Sequence, residues 1–361
     1  MRPGAEVESR KENAFEDVPI GLTFAFRHSP FDLILMLAAW YERNGPARDV
    51  LRYGEQPDPV PGKGEVRVRL HASAVNPSDV KTRGGSRPVI PPRVIPNSDG
   101  AGEIDRVGPG VSKRRLRQRV WVYNGQWQRP SGTSAQYIAL PAAQAVPLPR
   151  KVSYAQGACL GIPVMTAHRC LFADGPVHGR NVLVTGGAGV VGHYAVQLAR
   201  WAGARVIASV SSEEKAAHAR RAGAHAVVNY RTEDVAFRLR ELTGGEGVDR
   251  VVDVEFGANL PAYAKALSSD AVVATYASMK VREPVLPFYD LMRLNFTLRF
   301  VFVYTMLKSA RDRALADIAR WLAGGRPKFA IAARIPLSEI VAAHELVESG
   351  DRIGHVVLDI P

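Results

Sequence analysis

An aliphatic run, Asn181-Val-Leu-Val-Thr185, stops at a glycine cluster, Gly186-Gly-Ala-Gly-Val-Val-Gly192, and a helix-period segment, Tyr194-Ala-Val-Gln-Leu-Ala-Arg200, follows with no linker. A strand that turns straight into a helix through glycines belongs to a narrow set of folds. Gly187, Gly189 and Gly192 stand at G-x-G-x-x-G spacing, the dinucleotide-binding fingerprint. The first glycine is expected to permit the tight strand-to-helix turn, the second the approach of backbone to a pyrophosphate. The third is expected to let the helix pack on the strand. The helix N-terminus, with Val190 and Val191 inside the motif, then offers free N–H groups and a positive dipole end to phosphates. The alternative, a glycine-rich surface turn, does not explain the strand before, the helix after and the repeats that follow.

Apolar strand candidates recur downstream at near-even spacing: Val182–Thr185, Arg205–Val210, Ala226–Asn229, Arg250–Val254 and Val272–Thr275. Helical patterns lie between them at His193–Trp201, Glu213–Ala222, Val235–Leu242 and Leu260–Leu267. The alternation predicts an α/β fold with a doubly wound parallel Rossmann sheet. An NAD site usually carries Asp or Glu about 20 residues past the glycines, on the ribose 2′-hydroxyl. Here the second strand ends Ala208-Ser-Val-Ser-Ser212, with no carboxylate, and Lys215 follows on the next helix. Small hydroxyls and a cation suit a 2′-phosphate, so the expected cofactor is NADPH rather than NADH. Against this, Lys215 alone is also what an ordinary solvated helix lysine looks like.

The 361 residues suffice for two domains, and 46% hydrophobic content is that of a globular chain. No run of ~18 apolar residues is present, so no membrane partner is expected. The two cysteines, Cys159 and Cys170, sit in apolar contexts and read as core thiols, consistent with a reducing, cytoplasmic location. The net charge is +12, with basic residues crowded between Lys81 and Arg119, including Lys113, Arg114, Arg115 and Arg117. No nucleic-acid module is visible, and the basic run reads as a solvated loop that attracts a polyanionic cofactor. Residues 1–35 are charged or aperiodic and read as a disordered N-terminal extension; the long acidic start fits a secretory signal poorly.

Met36–Tyr41 reads as a first strand, and Val66–Ala72 alternates as a half-buried strand. Gly102–Val107 and Arg119–Tyr123 read as further strands, 311–323 and 337–349 as helices, and His355–Ile360 as a closing strand. A β-rich first part, a central Rossmann unit and a short return predict a discontinuous catalytic domain, 36–161 with 302–361, around a nucleotide domain, 162–301. The cleft between them is expected to hold nicotinamide and substrate.

The chain resembles the medium-chain dehydrogenase/reductase superfamily, in its zinc-independent, zeta-crystallin-like quinone oxidoreductase branch. The matching pieces are Val68-Arg-Leu-His-Ala-Ser-Ala-Val-Asn-Pro-Ser-Asp79, Pro96-Asn-Ser-Asp-Gly-Ala-Gly-Glu-Ile-Asp-Arg-Val-Gly108, Gly161-Ile-Pro-Val-Met-Thr-Ala167, the glycine loop, and Gly354-His-Val-Val-Leu-Asp-Ile-Pro361. The resemblance implies a GroES-like catalytic domain, a homodimer, and no zinc. It implies that Asn76 and Thr166 lie beside the nicotinamide. Ser211, Lys215 and Tyr230 would form the 2′-phosphate pocket, and Tyr276 and Ser278 a loop over the cofactor. The chain departs from the family at Pro96-Asn97-Ser98-Asp99 and at Arg117-Gln118-Arg119-Val120. It also lacks the substrate-facing tyrosine that many relatives carry, having none between Asp79 and Asp99.

Zinc-dependent relatives hold their metal with Cys and His. Neither cysteine here stands at such a position, and Asn97-Ser98-Asp99 replaces their Gly-His-Glu. Tyr276-Ala-Ser-Met-Lys280 has the Y-x-x-x-K spacing of short-chain dehydrogenases, but it follows a strand directly and is read as chance. Without a metal or dedicated acid, the accessible chemistry is hydride delivery to an electrophilic acceptor, with Asn76 as the expected hydrogen-bond donor. A quinone is the first expected acceptor and an alkenal or 2-enone the second, with one- or two-electron reduction left open. A third reading, a NADPH-binding protein that uses its basic face on RNA, predicts salt-sensitive binding through Lys113, Arg114 and Arg115.

Overall fold

Asn181–Val184, the strand that feeds the glycine cluster, is third from one edge of a six-stranded sheet in the computed structural model, which describes residues 35–361. The sheet order is Ala226–Asn229, Arg205–Val210, Asn181–Val184, Val248–Asp253, Leu267–Thr275, Thr297–Phe300. Every neighbouring pair is parallel. The chain enters at the centre, winds outward to one edge, then returns to fill the other side. That reversal leaves a crevice beyond the carboxyl ends of the two central strands.

Side-chain alternation explains why both faces are dry. Val182, Val184, Val206, Ala208, Val252 and Ala274 enter one core with the helices Gly161–Phe172, Val190–Trp201 and Glu213–Ala222. Leu183, Ile207, Val251 and Val273 enter the opposite core with Val235–Leu242 and Phe256–Tyr263. A parallel sheet covered on both faces needs this two-sided apolar pattern.

The five predicted strands are present, and Thr297–Phe300 adds a sixth that polar Thr297 and Arg299 conceal in the sequence. The helix expected at Leu260–Leu267 lies instead at Phe256–Tyr263, because Phe256, Leu260 and Tyr263 are the residues buried at helical spacing. A short 3₁₀ turn follows, and Leu267 opens the next strand.

A second, β-rich sheet runs Ile331–Pro336, His355–Asp359, Glu65–Val75, Asp99–Val107, Arg119–Val122, Ala145–Pro147, with Tyr137–Pro141 also paired to Glu65–Val75. The closing strand thus returns to pair antiparallel with the long strand Glu65–Val75. Leu35–Trp40 pairs with Arg52–Pro57 in a separate ribbon, so Leu35 already belongs to a strand. The rest of the expected disordered extension, 1–34, lies outside the described residues. The helices expected at 311–323 and 337–349 are found at Lys308–Gly324 and, after a 3₁₀ turn, at Ile340–Ser349.

Candidate active site

A cleft of about 880 Å³ is lined by residues of the glycine loop, by Asn76–Ser78 of the β-rich part and by Val301–Tyr304. Its floor is the strand-to-helix turn. Gly186, at φ +61°, makes the left-handed bend, a job expected of Gly187. Gly187 instead donates its N–H to Ser209 O at 3.1 Å, and a Cβ on it would stand 2.7 Å from Ala208 Cβ. It lets the loop rest on the neighbouring strand. A Cβ on Gly192 would come within 2.2 Å of Gly186 O, so the third glycine is demanded by the loop backbone rather than by the strand.

Gly189 caps the helix Val190–Trp201 with no side chain on its N-terminal N–H groups. Gly189, Val190 and Val191 line the cleft, while Gly187 and Gly192 sit behind it. The uncapped first turn presents unpaired N–H groups and the positive end of the helix dipole to that space.

Ser211 follows the strand Arg205–Val210, and Lys215 lies in the first turn of Glu213–Ala222. Lys215 Nζ donates to Ser211 Oγ at 3.1 Å. Tyr230 N–H donates to Val210 O at 3.1 Å, which brings its ring alongside, and all three residues line the cleft. Among the described residues four cations, Lys81, Arg87, Lys215 and Arg352, line the cleft, and no carboxylate does. The space is electrostatically set for a polyanion.

A buried carboxyl pair supports the rim on the other side. Asn76 begins the short helix Pro77–Lys81, and its backbone N–H donates to Asp79 Oδ2 at 2.8 Å. Its Nδ2 donates to Asp99 Oδ2 at 2.8 Å, an oxygen that also accepts Ile162 N–H at 2.8 Å. Burial pushes the Asp79 carboxyl up to about 7 and holds Asp99, which also feels Asp79, well above the usual carboxylate range. One of the two N–H groups of the Asn76 amide, expected to donate to substrate, goes to Asp99. The atom left without a partner is Oδ1, an acceptor.

Thr166 lines the cleft, but its hydroxyl donates to Ile162 O of its own helix at 2.7 Å. Tyr276 also lines it, its phenol pushed well above the ordinary range by burial. Ser278 does not line it: its Oγ accepts Gly257 N–H at 2.9 Å and donates to Val281 O. Asp79, Asp99, Arg87, Trp127 and Tyr304 carry no role in the sequence reading. Asp99 stands in the matched segment Pro96–Gly108, where the departure falls on Asn97 instead. Arg87, Trp127 and Tyr304 are too far apart in the chain to signal one site.

Among the described residues no group of three or more His, Cys, Asp or Glu side chains could hold a metal ion. Cys159 and Cys170 are buried free thiols. Burial pushes both thiols far above their ordinary range. In the basic run, Arg115 spends its guanidinium on the carbonyls of Ala142 and Ala145, and Arg119 on those of Arg150 and Val152.

Residues 62–150 match the alcohol dehydrogenase GroES-like domain and residues 190–320 the zinc-binding dehydrogenase family. A rat (Rattus norvegicus) quinone oxidoreductase is 30% identical over 83% of this chain and 90% of its own length. A 2-haloacrylate reductase from Burkholderia is 31% identical over 90% of this chain and 99% of its own. Among solved structures, an NAD-dependent alcohol dehydrogenase superposes with TM-score 0.82 at 30% identity, covering 90% of this chain and all of that one. A mycobacterial protein solved with NADPH gives TM-score 0.76 at 30% identity with the same coverage. The fold and cleft are those of a two-sheet nucleotide-dependent oxidoreductase. The chain belongs to the medium-chain dehydrogenase/reductase superfamily, in its quinone oxidoreductase branch.

Proposed function

We propose that this protein is a zinc-independent, NADPH-dependent quinone reductase. The observation that carries the cofactor is the Ser211–Lys215–Tyr230 group in a cleft that no carboxylate lines among the described residues. An NAD site would place an acid there. The residues fit the group: Lys215 and Ser211 would take the 2′-phosphate, and the first turn at Val190 and Val191 the pyrophosphate. Gly189 and Gly192 leave room where a side chain would crowd the loop. When bound, the reduced nicotinamide supplies a hydride.

The protein's own residues orient and shield. Asn76 is held at the cleft wall by Asp79 and Asp99, with its Oδ1 buried and without a partner. Trp127, Phe302 and Tyr304 form an aromatic wall, with Trp127 and Tyr304 stacked at 4.7 Å, against which a flat acceptor packs. Hydride plus one solvent proton completes a two-electron reduction, and no step needs a protein acid.

A second reading, reduction of an alkenal or 2-enone, is favoured by the 2-haloacrylate reductase among the relatives, which names an activated alkene. Side-by-side turnover of NADPH, with NADH as control, against 1,4-benzoquinone, 9,10-phenanthrenequinone and a simple 2-enone tests both. Fast quinone turnover with NADPH supports the first reading, and enone turnover alone the second. Of the three residues that the RNA-binding reading names, Arg115 braces a loop, whereas Lys113 and Arg114 are exposed.

We propose the division into 36–161 with 302–361 and 162–301, and a homodimer. The edge strand Thr297–Phe300 ends in Phe300, 76% exposed, and a second copy of the chain would cover it. Sedimentation of wild type against Phe300→Glu tests the dimer. No helix among the described residues is long and apolar enough to cross a membrane. Two buried free thiols favour a reducing compartment, which we propose to be the cytoplasm.

A further inference from the structure

Arg87 is half-buried and lines the same cleft as Asn76. Its guanidinium carbon lies 4.4 Å from the Trp127 ring centroid and 4.7 Å from that of Tyr304. Stacking on aromatic faces uses the flat side of a guanidinium and leaves its N–H edge free for a fork-shaped anion. Among the described residues no carboxylate stands within ion-pair distance of Arg87, and its five donors have no acceptor. Other arginines that reach into the interior spend their donors: Arg67 on Asp58 and Asp105, Arg299 on Asp174, Arg83 on Glu348, and Arg250 on the carbonyls of Leu171 and Asp174.

The other lining cations are placed differently. Lys215 is bonded to Ser211, Arg352 donates to Val347 O, and Lys81 is exposed. The nearby carboxyl that feels Arg87 is Asp79, which is buried and already accepts Asn76 N–H. Arg87 is thus a half-buried cation with no ion-pair partner among the described residues, its guanidinium held against two rings at the cleft.

We infer that Arg87 binds an anionic group on the acceptor, so that the substrate class is a planar electrophile carrying a carboxylate or equivalent anion. This rests on the reductase reading and narrows it. The flat, electron-poor part packs against Trp127 and Tyr304, and the anion takes the guanidinium edge. The electrophile is either an activated alkene or a quinone, and the two are separated by experiment.

The test compares kcat/KM for two matched pairs with NADPH: 2-chloroacrylate against its methyl ester, and 1,2-naphthoquinone-4-sulfonate against 1,2-naphthoquinone. The readout is the charged-to-neutral ratio, taken in wild type, Arg87→Met and Arg87→Lys. The ratio is expected to fall at least about tenfold in Arg87→Met and to recover partly in Arg87→Lys. A fall in the alkene pair alone assigns an anionic alkene, and in the quinone pair alone an anionic quinone. Unchanged ratios in both pairs overturn the inference. A raised KM for NADPH with unchanged ratios also overturns it and gives Arg87 to the cofactor. Calorimetric titration of benzoate and benzamide into the protein with NADP⁺ reads binding without turnover. If no acceptor is reduced, the reductase reading fails, yet benzoate binding that Arg87→Met abolishes still supports the anion site. Equal binding of both probes overturns it.

Discussion

Asn76 Nδ2 donates to Asp99 Oδ2 over 2.8 Å in a contact closed to solvent, and Ile162 N–H reaches the same oxygen. One carboxyl oxygen therefore ties the turn Asn76-Pro77 to the start of the helix Gly161–Phe172, which packs under the nucleotide sheet. Asp99 acts on the cleft through Asn76 and is a positioning residue. Gly161 is obligatory beside it, since a Cβ there would stand 2.0 Å from Asp99 Oδ1.

Asp99→Leu leaves the Asn76 amide and Ile162 N–H buried without an acceptor, at about 1–3 kcal/mol each. Urea unfolding is expected to show that loss. Because Asn76 is then free to turn, kcat falls about tenfold or more while KM for NADPH changes little. Asp99→Asn keeps an acceptor oxygen and recovers part of both. Equal loss of kcat and NADPH affinity would make the role of Asp99 purely structural.

Lys215→Glu places an acid where the second strand lacks one. The KM for NADPH is expected to rise about 10- to 100-fold, as for loss of a charge-assisted phosphate contact, and that for NADH to change little. Steady-state kinetics with the two cofactors decides it; equal effects would remove the 2′-phosphate assignment.

Gly192→Ala forces a methyl to within 2.2 Å of Gly186 O, a backbone atom that cannot swing aside. The loop must shift, so a loss of about 1–3 kcal/mol in stability is expected together with weakened NADPH binding. Thermal melts with and without NADPH read both effects. Gly244→Ala, at a φ of +63° in open space, should cost stability without touching cofactor affinity.

Burial pushes His344 and His355 down to about 3 and His193 to about 4, from 6.5 in the unfolded chain. Between those limits the unfolded state binds more protons, so each histidine's stability is complete above 6.5 and is lost as pH falls toward 3 or 4. Asp79 has the opposite sign. Its carboxyl is raised to about 7, so its contribution is present below 3.8 and lost as pH rises through 7. The two trends bracket a maximum near neutral-to-mildly acidic pH. His355→Phe is expected to flatten the acid limb in denaturation series from pH 7 to 4; an unchanged limb would contradict this.

The sequence by itself determined the nucleotide fold, because that fold rests on local and periodic signals. A strand, a glycine turn and a helix occur consecutively, and alternation along Val182, Leu183 and Val184 divides neatly between the two cores. Ser211, Lys215 and Tyr230 were legible for the same reason, since each ends or follows a recognisable strand. Only the tertiary structure decided the acceptor end. Asn76 was legible through the family segment, but Arg87, Asp99, Trp127 and Tyr304 come from separate stretches of chain, and no period links them to it. Which way the Asn76 amide is held depends on a carboxyl more than twenty residues away, at Asp99. Whether Arg87 is paired depends on what burial brings within reach of it. Even the glycine roles moved by one position, from Gly187 to Gly186, because φ is set by how the loop meets the neighbouring strand. Spacing along the chain specifies which residues share an element; hydrogen bonds and charge balance between elements are settled only when those elements pack.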